Sequence, residues 1–260
     1  MRSSRSAQTS TLNPPRISVI VAVMNRFATI GTALQSIIRQ NYSALELIVI
    51  DGGSKDGTIE EIKNFDHHID YWVSEKDEGI YHAMNKGLAI ATGDLVYFLN
   101  SDDYLADTDV LADISAEYLR VGQPKAIYGG IVYDTPLPGL NMSLSDCEER
   151  RFADVRLGKM VRHQALFVRR DVLLELGGFS NDRIGGDYDL QCRMYKEGFL
   201  PIFVPRIVCR FSGGGAGSDL WRSFSEKRRI IRRHFGRAWL TAYTAKRLVV
   251  LFIIDGAKRL

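Results

Sequence analysis

Three groups of carboxylates stand where an apolar run stops or a helix pattern starts. Asp102 and Asp103 follow the unbroken run Leu95 to Leu99, with Asn100 and Ser101 between. Adjacent carboxylates repel unless positive charge is near. A hard divalent cation with oxygen ligands, also holding a substrate phosphate, meets that need. An Asp capping the next helix is the plainer alternative. Asp51 ends the apolar stretch Leu45 to Ile50 and opens the turn Asp51-Gly52-Gly53-Ser54-Lys55-Asp56-Gly57-Thr58. A carboxylate there pairs well with an imide or amide N–H, and the glycines let a ring approach the backbone. A glycine-rich turn closed by an Asx hydrogen bond accounts for the same residues. Asp187 and Asp189 open a helix pattern after Gly185-Gly186, where the helix dipole by itself favours acids.

Groups of this kind need a rigid frame. Ile17 to Val23 and Leu95 to Leu99 are continuous apolar runs, the mark of strands buried on both faces of a parallel sheet. Leu45 to Ile50 and Tyr71 to Val73 are further strands. Helices are expected over Ala28–Gln40, Ile59–Asn64 and Gly79–Ala91, the last closed by Thr92-Gly93. This alternation predicts an α/β fold with a mostly parallel sheet flanked by helices. Ligands of such sheets lie at the carboxyl ends of the strands, where Asp51 and Asp102 fall. After Asp103 the pattern loosens. Helices are expected over Asp107–Val121, Arg170–Leu176 and Asp187–Glu197. Short strands are expected over Ala126–Tyr128, Leu166–Val168, Pro201–Val204 and Ile207–Phe211. Loops and antiparallel pieces fill 129–146.

The bulk composition narrows the class. At 260 residues, 45% hydrophobic and 25% charged, the chain suits one large globular α/β unit. A net charge of +3 makes no case for a nucleic-acid partner, although positive charge collects in Arg222 to Arg237. Three cysteines without C-x-x-C spacing speak against a disulfide framework and a zinc site, and a reducing, cytoplasmic compartment is the default. Residues 1–15 lack the apolar stretch of a secretory signal and read as a disordered leader. No apolar run approaches the roughly 18 residues of a spanning helix. The main unit is expected over 16–218 and a basic amphipathic helical region over 219–260. In that tail Leu220, Trp221, Phe224, Ile231 and Phe235 recur at helical spacing among many cations, and Leu248 to Ile254 is apolar. Two readings stay open: a helix packed on the core with a solvated basic face, or one lying on an anionic membrane surface. The second would make the protein peripheral on the inner face of the cytoplasmic membrane. The loop Ser212 to Ser218 is either a lid or a linker.

Four segments in order carry a family resemblance: Val23-Met24-Asn25-Arg26, Ile48 to Thr58, Asp77 to Gly87, and Phe98-Leu99-Asn100-Ser101-Asp102-Asp103. Together they resemble the family 2 glycosyltransferases of the GT-A fold, over roughly Ile17 to Phe211. The resemblance implies a GT-A-like sheet, an irregular acceptor half and C-terminal helices. It implies an inverting enzyme that moves a sugar from a nucleotide-diphosphate sugar to a hydroxyl of a glycan or lipid-linked glycan. By the same resemblance Asp51 contacts the nucleotide base, Asn85 supports the donor, and His163 lies towards the acceptor side. Asp102 holds Mg²⁺ or Mn²⁺ on the donor diphosphate, with Asp103 as reserve ligand. Asp187 is the general base, and Asp189 turns away along its helix. Gly52, Asn100 and Gly186 stand where the family often has acids. A non-catalytic sugar-nucleotide or glycan-binding protein is therefore the alternative. A nicotinamide-dependent oxidoreductase would need G-x-G-x-x-G after the first strand, and Met24 to Gly31 lacks it.

Overall fold

The structure is a computed structural model and describes residues 13–134, 145–180, 182, 185–212 and 220–257. Residues 1–12 of the suggested leader over 1–15, and all of the loop Ser212–Ser218 but Ser212, lie outside the described residues. In chain order the elements are β1 (Ile17–Val23), α1 (Phe27–Ile38), β2 (Leu45–Asp51), α2 (Thr58–Asn64), β3 (Tyr71–Ser74), α3 (Ile80–Ile90), β4 (Leu95–Asn100) and β5 (Tyr104–Leu105). There follow α4 (Val110–Arg120), β6 (Ala126–Tyr133), β7 (Ser145–Asp146), β8 (Leu166–Arg169), α5 (Arg170–Glu175), α6 (Gly186–Lys196), β9 (Ile202–Phe211) and α7 (Leu220–Ala257). Short 3₁₀ turns cover Phe152–Leu157 and His163–Ala165.

The strands form one sheet in the order β3-β2-β1-β4-β8-β6-β9-β5, with β7 beside β6. Four of them, β3, β2, β1 and β4, are mutually parallel. Every residue of β1 is buried, as an apolar strand covered on both faces must be. One core layer lies beneath α1 and α4 and includes Val19, Val21, Ile30, Leu34 and Ile114. The other lies beneath α3, α5 and α6 and includes Ile20, Ile50, Met84, Leu173 and Met194. Alternate residues of β1 and β4 thus feed opposite faces, which follows from the two-residue period of a strand. In register, Ala22 of β1 stands between Ile50 and Asn100, and Val23 pairs with Asp51. The carboxyl ends of β1, β2 and β4 therefore finish level, and the polar residues that follow them share one rim.

The irregular half is more ordered than its glycines suggest. Strand β6 continues through Gly129 and Gly130 to Tyr133, and β9 is one strand rather than two. A Cβ on Gly129 would stand 2.3 Å from the Arg206 carbonyl oxygen, and one on Gly130 would stand 2.5 Å from Cys147 Cβ. These glycines permit close strand approach rather than a turn. The register between β6 and β9 shifts at this point, opposite Pro205-Arg206.

The tail packs on the core through one set of its described side chains. Phe224, Ile230, Ile231 and Tyr243 are buried with Val155, Tyr188 and Cys192. The backbone breaks at Gly236, whose φ of 82° belongs to the left-handed region that glycine enters without strain. The apolar side chains of 248–254 lie outside the described residues. Among the described residues, no helix is long and apolar enough to cross a membrane.

Candidate active site

The rim is tied together from β1 outward. Asn25, at φ 52°, donates its backbone N–H to Ser54 Oγ (2.7 Å) and accepts from the Lys55 N–H (2.9 Å). These bonds hold the end of β1 against the glycine turn after β2. Arg26 follows and places its Nε 3.9 Å from Asp102 Oδ2. Asp102 itself stands at the tip of β4, with about a quarter of its side chain exposed.

Asp103 faces the other way. It is 1% exposed, and its carboxylate accepts from Asn100 Nδ2 (2.9 Å) and from the Ser212 backbone N–H (3.0 Å). Burial pushes its carboxyl up to about 6. Both oxygens work inward, joining the β4 tip to the end of β9. Asp103 is therefore a structural carboxylate, and the expected reserve ligand is not presented to the rim.

Asp51 is fully buried. Its carboxylate accepts from the backbone N–H groups of Gly53 (3.0 Å) and Ser54 (2.9 Å) and from the hydroxyls of Ser54 (2.5 Å) and Ser74 (2.6 Å). Three of these donors fall on Oδ2 and one on Oδ1. Asp51 thus closes the turn, and its full burial keeps it from the expected contact with a base. The open carboxylate nearby belongs to Asp77. Its Oδ1 accepts from the Gly79 N–H at 2.8 Å. Its Oδ2 lies 2.5 Å from where a Gly52 Cβ would be. Asp77 therefore occupies the space that a side chain at position 52 would need.

Asn85 also does other work than expected. Its amide bonds both main-chain groups of Phe179, donating to the carbonyl (2.9 Å) and accepting from the N–H (2.8 Å). With both ends engaged it clamps α3 to the segment ahead of α6 and is not aimed at the rim.

His163 and Asp187 meet. Nδ1 of His163 lies 3.2 Å from Asp187 Oδ2, and its Nε2 lies 3.4 Å from Asn100 Oδ1. This imidazole connects the start of α6 to the tip of β4, residues far apart in the chain. Asp187 Oδ1 accepts from Tyr81 Oη (3.1 Å) and from the Tyr188 N–H (2.8 Å). Burial works to raise the Asp187 carboxyl. The hydrogen bond and charge of His163, the Lys227 ammonium and the Tyr188 N–H outweigh it, so the group sits below the ordinary carboxylate range. It is therefore ionised at neutral pH. Among the described residues these three donors leave one lone pair, on Oδ2. Asp189, two residues on, is buried and bonded to Arg193, Arg233 and His234, turned from the rim.

Arg26 and Tyr81 sit inside segments that the motifs already single out, but nothing in their spacing assigns them partners. Lys227 is one cation among many in the tail, and only packing sets it near Asp187.

The sheet order and the rim at its parallel carboxyl ends define a GT-A glycosyltransferase fold. Solved structures share it. TarS from S. aureus has a TM-score of 0.65 at 16% identity, covering 88% of this chain and 70% of that one. The mannosyltransferase PcManGT from Pyrobaculum calidifontis, solved with GDP-Man and Mn²⁺, has a TM-score of 0.63 at 22% identity, covering 94% and 80%. The family model described as Glycosyl transferase family 2 matches residues 18–173. An uncharacterized glycosyltransferase from Mycobacterium tuberculosis is 32% identical over 210 residues, 78% of each chain. A PGL/p-HBAD biosynthesis glycosyltransferase from Mycobacterium bovis is 29% identical over 202 residues, 75% of this chain and 74% of its own. The chain belongs to glycosyl transferase family 2 and is a sugar-transferring enzyme. The non-catalytic alternative is set aside.

Proposed function

We propose that the protein is an inverting glycosyltransferase that moves a sugar from a nucleotide-diphosphate sugar to a hydroxyl of a glycan or lipid-linked glycan. The observation that carries this reading is the contact path Asp187–His163–Asn100. It sets an ionised carboxylate with one open lone pair on the same rim as Asp102. Asp187 takes the proton of the acceptor hydroxyl, and the freed oxygen attacks the anomeric carbon opposite the departing diphosphate. A base on one face and a positive clamp on the other are what such a displacement requires.

His163 and Tyr81 orient the base. The His163 bond favours its ionised form, so the carboxylate is present before the acceptor arrives. Arg26, beside Asp102, gives fixed positive charge near the leaving phosphates. Asp77 replaces Asp51 as the residue that accepts an N–H from the nucleotide base. Asp102 is the one carboxylate of its motif turned to the rim. Among the described residues no group of three acidic, His or Cys side chains is arranged to hold a metal by itself. One carboxylate plus phosphate oxygens is still a donor set that Mg²⁺ accepts. These residues fit a divalent cation that arrives with the donor, held by Asp102. Such a cation would neutralise charge on the leaving diphosphate.

Nucleoside-diphosphate release from a panel of sugar nucleotides, assayed with crude lipid extract, tests the proposal. Asp187→Asn should lower turnover by about 10²- to 10⁴-fold, the scale of general-base loss. Unchanged transfer by this variant would reject the assignment.

A further inference from the structure

The break at Gly236 folds α7 back on itself. In one straight helix Phe224 and Tyr243 would stand roughly 28 Å apart at about 1.5 Å per residue. Their ring centroids are 5.7 Å apart. The two arms and the turn at Gly158 border a solvent-open cavity of about 210 Å³. Among the described residues four that line it are cations, Lys159 from the turn side and Lys227, Lys246 and Arg247 from the two arms, and none is a carboxylate. Phe224 and Tyr243 supply apolar wall.

Two of these four cations have an acidic neighbour and, among the described residues, two do not. Lys159 pairs with Asp154 at 3.2 Å. Lys227 donates to the Gly158 carbonyl at 3.3 Å and stands 5.3 Å from the Tyr188 ring centroid. Among the described residues neither Lys246 nor Arg247 has an ion pair. Burial and the neighbouring Arg162 and Arg247 charges hold the Lys227 ammonium below its usual range, against the pull of Asp187. Like charges brought together around one cavity are stabilised by an anion placed among them. The acid motif does not use this site, yet Lys227 links it electrostatically to Asp187.

We propose that this cavity binds a phosphate group, and that its natural occupant is the phosphate of an amphiphilic acceptor whose hydroxyl is presented to Asp187. Lysine and arginine together suit a phosphate's charge and its several oxygens. The aromatic wall suits an apolar segment attached to it. The identity of the occupant as acceptor rests on the function proposed above, whereas the affinity for phosphate does not.

The test is calorimetric titration of the full chain with farnesyl phosphate and with farnesol, which differ only in the phosphate. The phosphate should bind, farnesol should bind at least about tenfold more weakly, and Lys246→Gln/Arg247→Gln should weaken the phosphate by about tenfold or more, the scale of losing charge-assisted contacts. Lys159→Gln, on the opposite wall, should weaken it in the same direction. Lys63→Gln, an exposed cation on α2, should leave it unchanged. Equal binding of both compounds, no binding of either, or indifference to the pocket variants overturns the site. Co-sedimentation with phosphatidylglycerol vesicles but not phosphatidylcholine vesicles, without binding of soluble farnesyl phosphate, also overturns it, because a bilayer's surface charge is then being read. Protein that releases diphosphate from a donor yet binds farnesyl phosphate no better than farnesol sinks this site alone and leaves the sugar-transfer reading standing.

Discussion

Replacing Asp189 by asparagine removes one buried charge from the joint between α6 and α7. The side chain is 2% exposed. Its carboxylate meets Arg193 Nε at 2.8 Å, His234 Nε2 at 2.7 Å and Arg233 Nη1 at 3.2 Å. Burial alone would raise this carboxyl, but the His234 hydrogen bond and the Arg193 charge reverse that and hold it at about 2, against 3.8 unperturbed. The gap corresponds to roughly 2.5 kcal/mol in favour of the folded, ionised form. An amide keeps one acceptor but leaves the cations uncompensated, and breaking a buried pair costs about 3–5 kcal/mol in well-studied cases. A loss of about 2–3 kcal/mol at pH 7 is therefore expected. The sign with pH follows from the depressed value. The stabilisation is complete above about pH 4 and is lost as pH falls through about 2, so the difference between wild type and variant should shrink in strong acid. Urea unfolding followed by far-ultraviolet circular dichroism measures both. Combining the change with His234→Ala should show a coupling of about 0.5–3 kcal/mol, as for side chains in one network. A variant within about 0.5 kcal/mol of wild type at pH 7, or losses with His234→Ala that simply add, would refute the reasoning.

Two further changes address the chemistry. His163→Ala should lower turnover by about 10- to 100-fold, equivalent to one charged hydrogen bond of roughly 1.5–3 kcal/mol. Without His163, burial gains weight and the Asp187 carboxyl rises, so the acid limb of the pH–rate profile should move to higher pH; a lower rate with an unmoved limb would make the imidazole merely structural. Asp77→Asn should weaken donor binding by about tenfold, while Asp51→Asn should chiefly lower the denaturation midpoint because it breaks a four-donor turn. Donor titrations and thermal melts on both variants separate the roles, and the reverse pattern would restore Asp51 as the base contact.

Much of the frame is legible without coordinates. The apolar runs of β1 and β4 are too long and unbroken for half-exposed strands, and their alternation with amphipathic helices leaves little choice but a parallel sheet. The polar residues after such strands then fall on one rim by geometry alone. The second half is harder, because Gly129-Gly130 and Pro205 look like loop signals. Gly129 is used instead where β9 approaches β6 too closely for a side chain, and Gly130 where Cys147 does, conditions that exist only once these segments are packed together. The same limit holds in the site. Asp51, Asp102 and Asp103 each follow an apolar run, yet two of the three turn inward. Part of what turns them inward is local, from Gly53, Ser54 and Asn100, but Ser74 and Ser212 complete the bonding from outside the acid motifs.

The sequence by itself determines the parallel half of the sheet, the level strand ends that carry acids 51 and 102, and the helix that starts near Asp187. Those features follow from local patterns, since strand and helix periods are properties of neighbouring residues. Only the tertiary structure decides that His163 joins Asp187 to Asn100, that Asp77 fills the space left by Gly52, and that the tail doubles back at Gly236 and sets Lys227 where its charge acts on Asp187. Each of these is a meeting of side chains separated by many residues. Hydrogen-bond capacity and electrostatics act through distance in space, which local patterns do not encode.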